Sequence, residues 1–458
     1  MSATIRFIHA ADVHFGTPFR GLCDVAPEWA LRLQEAVAHA WDRVIREAIE
    51  RRVDFVVLSG DAFDSSRPSY GDYLRFFEGL DRLHEAGIPA YLVAGNHDPY
   101  TAWGREGSRL PESAVMLGVD GPGFALFSRE GEPLCLIGGR SYYNQAWAED
   151  DPISAGITRG AAVRALVGDN PQAARAPFAI GVVHAALVPD QSKAQVKLDD
   201  LLAADIDYWA CGHIHERCTY ANDDDPRVVF PGCLQGRGMM EPGERGCYLV
   251  QLQETAPGAC VEAEAESETE ADVEAEAPPG AVARSSHVHV EFIPTSSVVF
   301  QELKIEVGAC QTLADVRRLV QAELFHENAK THCDEMIARI TLTGETVLHA
   351  FLVKPEIIGD LRQQINNAYP SFYCDALVDQ TTPAGGDSRA GASNGYFPEI
   401  VSAMAEEQRC RDDVLVNYVQ SEFVKRGIPV PSSLSEGMGC FTDQAERLVL
   451  DLLRGGSE

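Results

Sequence analysis

Five apolar runs in the first half of the chain lead into short polar motifs. Thr4-Ile5-Arg6-Phe7-Ile8 leads to Asp12-Val13-His14, Asp54-Phe55-Val56-Val57-Leu58 to Gly60-Asp61, and Ile88-Pro89-Ala90-Tyr91-Leu92-Val93 to Gly95-Asn96-His97-Asp98. Phe178-Ala179-Ile180-Gly181-Val182-Val183 precedes His184, and Ile206-Asp207-Tyr208-Trp209-Ala210 precedes Gly212-His213-Ile214-His215. Runs of this length read as buried strands. Between the first and second, residues 28–51 carry Leu33, Val37, Trp41, Val44, Ala48 and Ile49 at helical spacing, and residues 70–85 repeat the pattern with Leu74, Phe77, Leu80 and Leu83. The βαβαβ order predicts parallel strands with right-handed crossovers. Open α/β sheets bind ligands beyond the carboxyl ends of their strands, so all five motifs are expected at one sheet edge.

The pattern changes after Thr295. Residues 298–307 and 335–342 read as strands, 312–325 and 355–367 as helices, and Phe372-Tyr373-Cys374 as a further strand, together a small α+β unit. A Gly/Ser/Asp-rich linker, 384–395, leads to helices near 396–409, 412–425 and 442–453. Their apolar stripes, such as Leu415, Val419 and Phe423, read by periodicity alone as a small local bundle.

Charge alters this picture. The net charge of −31 is opposite to that of a free-standing DNA-binding protein, whose affinity comes largely from counterion release by Lys and Arg. Eight acidic residues between 262 and 276 belong to a low-complexity tract of Glu, Ala, Ser and Thr; without them the charge is still −23. Such composition predicts a solvated insertion over 255–283. The flanking runs, 246–252 and 287–292, are expected to pair as a hairpin with the tract at its tip, where insertions cost little. The 12 cysteines are scattered without a Cys-x-x-Cys pair, which predicts reduced thiols. No apolar run reaches a membrane span and no leader pattern opens the chain, so a cytoplasmic protein without membrane contact is expected.

Asp, Asn and His suit hard or borderline divalent cations, and two cations sharing one carboxylate need more ligands than one loop supplies. Any one motif alone is more often a turn or a satisfied core residue. The ordered set Asp-x-His, Gly-Asp, Gly-Asn-His-Asp, His, Gly-His-x-His resembles the calcineurin-like metallophosphoesterases at every step. Gly60-Asp61-Ala62-Phe63-Asp64-Ser65-Ser66-Arg67-Pro68 and Phe230-Pro231-Gly232 resemble the SbcD-type DNA repair exonucleases, and Gln235-Gly236-Arg237 with Gly246-Cys247-Tyr248-Leu249-Val250 the YhaO-like branch.

The resemblance implies an α/β fold: a metallophosphoesterase sandwich of central β-sheets flanked by helices over 1–295, an α+β cap over 296–383, and a C-terminal helical segment over 396–458. It implies that Asp12, His14 and His215 hold one metal, that Asn96, His184 and His213 hold the other, and that Asp61 bridges them. His97 would be a general acid, Asp98 would orient His97, and Asp64 would support the site from behind. The metals would be two divalent ions, with manganese the usual activator. The implied activity is a DNA exonuclease with single-strand endonuclease activity, partnered with DNA and with an SbcC-type coiled-coil ATPase gripped by the C-terminal helices, and dimeric as relatives usually are. The alternatives are a small-molecule or cyclic-nucleotide phosphodiesterase or phosphatase, a protein phosphatase, disfavoured by Asp64-Ser65 where Asp-Arg is expected, and a non-catalytic scaffold.

Overall fold

The computed structural model describes residues 2–17, 26–64, 68–103, 110–148, 151–187, 194–255 and 286–384, with 403, 404 and 449. The linker, the acidic tract and all but three residues of the expected C-terminal helices lie outside the described residues.

Strand β1 (Thr4–Ala10) is followed by α1 (Pro27–Glu50), β2 (Phe55–Ser59), α2 (Tyr70–Glu85), β3 (Ala90–Val93), α3 (Tyr100–Trp103) and β4 (Ala114–Met116). Pro27 opens α1, where its missing N–H costs nothing, and Trp29, Leu33, Val37, Trp41 and Val44 form the buried stripe. A capping box starts α2: the Ser69 hydroxyl accepts from Asp72 N while the Asp72 carboxylate accepts from Ser69 N. The two helices meet through stacked Trp41 and Phe76, centroids 5.0 Å apart.

The chain then builds a second sheet from β5 (Gly123–Arg129), β6 (Glu132–Arg140), β7 (Phe178–His184), β8 (Tyr208–Gly212), β9 (Cys218–Tyr220) and β10 (Val228–Phe230), in the order β5-β6-β7-β8-β10-β9. It returns to the first sheet through β11 (Gly246–Glu254) and β12 (Ser286–Pro294), giving β12-β11-β1-β2-β3-β4. β1, β2, β3 and β4 are parallel, as the βαβ reading requires. β11 and β12 pair antiparallel from Gly246↔Pro294 to Glu254↔Ser286, so the strands flanking the acidic tract form the expected ladder.

The two sheets share one core. Phe7, Phe55, Val57 and Tyr91 of the first sheet pack with Ile137, Ile180, Val182 and Tyr208 of the second. The opposite face of the first sheet, with Ile8, Val56, Leu58 and Leu92, packs into the core that includes the stripe of α1. Both faces are therefore apolar, which is why these strands read as continuous runs. The expectation of one sheet edge is corrected here. β1, β2 and β3 belong to one sheet and β7 and β8 to the other, a distinction invisible to periodicity because a fully buried run looks the same in either.

Beyond β12 the chain forms β13 (Val298–Glu306), α4 (Leu313–Asn328), β14 (Glu335–Thr346), α5 (Pro355–Asn366) and β15 (Phe372–Pro383), with a third sheet in the order β13-β14-β15. The described chain clusters into two compact units, and residues 304–319, 341–361 and 378–384 belong to the second. Val298, Phe300, Ile337 and Tyr373 belong to the first unit and join its α1-side core. Inside the second unit, Val307 N donates to Thr343 O and His349 Nδ1 meets Thr381 Oγ1.

Candidate metal centre

The five motif loops leave the carboxyl ends of β1, β2, β3, β7 and β8 and lace together through backbone. Asp12 N donates to Gly60 O at 3.1 Å and His14 N to Asp61 O at 3.0 Å. Glycine is demanded at two points. Gly60 has φ +93°, and a Cβ there would lie 2.4 Å from Nδ1 of His184. A Cβ on Gly95 would lie 2.1 Å from Oδ1 of Asp61. Asp12, His14, Asp61 and His213 adopt φ of 51°, 56°, 52° and 96°, left-handed backbone in which Asp, Asn and His are over-represented among non-glycine residues.

All seven residues read as ligands come together, and they fall into two groups around Asp61. On one side, Nε2 of His14 lies 3.1 Å from Nε2 of His215 and 3.7 Å from Oδ1 of Asp12. On the other, Oδ1 of Asn96 lies 3.2 Å from Nε2 of His184 and 3.1 Å from Nδ1 of His213. Oδ2 of Asp61 lies between them, 3.7 Å from Nε2 of His14 and 3.3 Å from Nε2 of His184. The sets Asp12-His14-His215, Asp12-Asp61-His184 and His14-Asp64-His97 each bring three ligand atoms within 4.8 Å of one another.

The donor chemistry fits divalent cations. Two imidazoles are hydrogen-bonded at Nδ1 and present Nε2 to the centre: His184 donates to Ser59 O at 2.9 Å and His215 meets Glu241 Oε1 at 2.6 Å, while His14 Nδ1 only faces Asp64 Oδ1 at 3.1 Å without hydrogen-bond geometry. Such backing fixes ring tautomer and orientation for metal binding. The field also attracts positive charge. Burial pushes the His184 imidazole down, but Asp61 and Asp12 outweigh it and raise it to about 9. His14 likewise reaches about 9, with Asp12, Asp64 and Asp61 overcoming burial and Arg237. Burial pushes the Asp61 carboxyl up, but His184 and His14 hold it well below the usual range.

The supporting residues sit differently from expectation. The Asp98 carboxylate accepts from Gly95 N at 2.8 Å and Ala62 N at 2.8 Å, so it ties the second and third motif loops together instead of orienting His97. His97, with a side chain 42 % exposed, donates Nδ1–H to the Asp64 carbonyl at 3.0 Å, and Asp64 Oδ1 lies 3.7 Å away. Glu241 escaped the motif reading, and the role of Arg237 in holding it was not foreseen. Arg237 lies 3.2 Å from Asp64 Oδ1 and 3.1 Å from Glu241 Oε1, while its N–H donates to Glu241 Oε2 at 2.8 Å. Glu241 is thereby held on His215. The Arg at i and Glu at i+4 lie in a non-repetitive turn after β10, and only the quoted Gln-Gly-Arg run hinted at them.

A family model of the calcineurin-like phosphoesterases matches residues 5–217, the stretch that carries all seven of these residues together with Asp64, His97 and Asp98. Residues 5–217 therefore carry a calcineurin-like phosphoesterase domain. A second model, the middle domain of metallophosphoesterase YhaO, matches residues 300–382, and the YhaO-like branch fits this chain. The uncharacterized metallophosphoesterase YhaO of Bacillus subtilis (strain 168) is 32 % identical over 263 residues, 55 % of this chain and 58 % of that protein. The DNA double-strand break repair protein Mre11 of Methanopyrus kandleri is 26 % identical over 276 residues, 57 % of this chain and 56 % of that protein. The chain thus spans little more than half the length of these relatives. A solved dimetal phosphatase from Danio rerio covers 54 % of this chain and 95 % of its own, at 12 % identity and a TM-score of 0.32. Among the described residues, no helix is long and apolar enough to cross a membrane.

Proposed function

We propose that this chain hydrolyses phosphodiester bonds in DNA as the nuclease partner of an SbcC-type ATPase, with exonuclease activity and endonuclease activity on single strands. The observation that carries the reading is Asp61 standing between two ligand groups, its Oδ2 within 3.7 Å of His14 Nε2 and 3.3 Å of His184 Nε2. Asp12, His14 and His215 would hold one divalent ion and Asn96, His184 and His213 the other. Oxygen and nitrogen donors without thiolate suit manganese. Bound there, two such ions supply Lewis acidity and an activated water to an in-line displacement at phosphorus.

The chain's own residues do the rest. Because a carbonyl only accepts, the Nδ1 of His97 carries a proton and the ring is fixed with Nε2 outward. Protonated there as well, the imidazolium hands its proton to the departing oxygen, which makes a poor leaving group acceptable. Asp64 braces both His14 and His97, and Asp98 holds the loops that present Asp61 and Asn96. The Mre11 likeness supports DNA as substrate and an ATPase partner, and that partner would supply the basic surface an acidic chain lacks. The net charge of −31 favours a second reading, a small diester substrate.

The test is incubation with manganese and end-labelled linear duplex DNA, with bis-p-nitrophenyl phosphate and Asp61→Ala in parallel. Degradation of both substrates, lost in the variant, is expected. Hydrolysis of the small diester with DNA untouched, alone and with an SbcC-type partner added, would reject DNA as substrate.

A further inference from the structure

Two tyrosines on segments that hydrogen-bond to the motif loops hold their rings in solvent. Tyr100 and Tyr143 are 39 % and 49 % exposed, and their ring centroids lie 6.3 Å apart at 29°, roughly parallel. Among the described residues the only aromatic ring either meets is the other. Their backbone is fixed to the centre. Tyr100 follows the Asn96-His97 motif and its N–H donates to Tyr142 O at 2.8 Å, while Thr101 N donates to Tyr143 O. Tyr142 is buried edge-on against His184, with centroids 5.9 Å apart, and its N–H donates to Ala94 O. Tyr143 also lines a cleft of about 320 Å³ with Asn144, Trp147, Arg140 and Asp120. Arg140 is occupied there: its guanidinium pairs with both oxygens of Asp151 and lies 4.8 Å over the Trp147 ring.

We infer that the Tyr100–Tyr143 pair and this cleft seat a nucleobase attached to the phosphate at the metal centre. The inference rests on the phosphodiesterase reading above and supplies what the charge leaves open. A chain of net charge −31 gains little from counterion release at a polyphosphate. Stacking on aromatic faces is independent of net charge and tolerant of sequence, because every base has a π-face. The Asn144 side chain offers both a donor and an acceptor to a base edge. Arg140, neutralised by Asp151, shapes the cleft without adding a phosphate site.

The experiment is calorimetric titration of the full chain in manganese with deoxyadenosine 5′-monophosphate and, separately, deoxyribose 5-phosphate. The proteins are wild type, Tyr100→Ala/Tyr143→Ala and Tyr100→Phe/Tyr143→Phe. The alanine pair should weaken the nucleotide by roughly 5- to 150-fold, the loss of one base stack. The phenylalanine pair should bind it as wild type does, and all three proteins should bind the base-free sugar phosphate alike. Equal nucleotide affinity in wild type and the alanine pair, no nucleotide binding by wild type, or an equal loss for the sugar phosphate overturns the proposal. Hydrolysis of bis-p-nitrophenyl phosphate by the same samples reports separately on the phosphodiesterase reading. If that fails while base discrimination persists, the reading falls and the base seat stands.

Discussion

Replacing Glu241 by Gln removes the charge behind His215 while keeping the side-chain shape. The carboxylate accepts hydrogen bonds from His215 Nδ1 at 2.6 Å, the Arg237 guanidinium at 3.1 Å and the Arg237 N–H at 2.8 Å. His215 and Arg237 hold its carboxyl well below the usual range although burial opposes them, so it is a carboxylate at neutral pH. A glutamine carbonyl can still accept from His215, but a bond to a charged acceptor, worth about 1.5–3 kcal/mol, becomes a neutral one worth about 0.5–1.5 kcal/mol. The difference of about 1–1.5 kcal/mol predicts manganese binding weakened about tenfold, at the low end of the roughly 10- to 100-fold typical of groups behind metal ligands. Calorimetric titration with manganese reads this directly. Melting reads it again: at a manganese concentration of about 100 times the wild-type Kd, the stabilisation of about 2.7 kcal/mol should fall to about 1.4 kcal/mol. A variant whose manganese Kd stays within twofold of wild type would show that Glu241 does not act on the metal through His215.

His97→Ala should leave manganese binding intact and lower kcat about 10²- to 10⁴-fold, the usual worth of a positioned acid; metal loss on calorimetry would instead make His97 a ligand. Gly95→Ala should lose both metal binding and stability, because the new methyl displaces Asp61 Oδ1 from 2.1 Å away; unchanged manganese affinity would refute that packing argument. Burial pushes the His9 imidazole down to about 3, against Asp12. Above pH 6.5 it is neutral both folded and unfolded, so stability is unaffected; as pH falls below 6.5 the unfolded chain takes up a proton the folded one refuses, costing about 1.4 kcal/mol per pH unit until near pH 3. Urea titrations of the metal-loaded protein between pH 7 and 5 should lose this slope in His9→Gln, and identical slopes would contradict it.

The strand-to-motif junctions were legible because each joins a long apolar run to residue types with strong chemical preferences. The helix around Trp41 and the one carrying Phe77 and Leu80 were legible for the same reason, through their 3.6-residue stripes. Assignment of β7 and β8 to a second sheet was not, since pairing partners leave no trace in a run buried on both faces. The partners of Asp98 were misjudged because proximity in sequence to His97 suggested contact, whereas its carboxylate turns toward the Gly95 and Ala62 backbone. Glu241 reaches His215 across 26 residues that include β9 and β10, and it sits in an irregular turn where no periodicity operates. His9 stands outside the centre, between Tyr208 OH and Ser59 Oγ, both at 2.8 Å.

The left-handed backbone at Asp12, His14, Asp61 and His213 sets stability and chemistry against each other. Each such residue costs of order 1–3 kcal/mol, less for Asp and His than for branched side chains. Glycine would relieve that strain at all four positions. A selection for thermal resistance alone, run without a demand for turnover, should therefore enrich glycine where the centre needs its donors, and the hardiest survivors would be the inert ones.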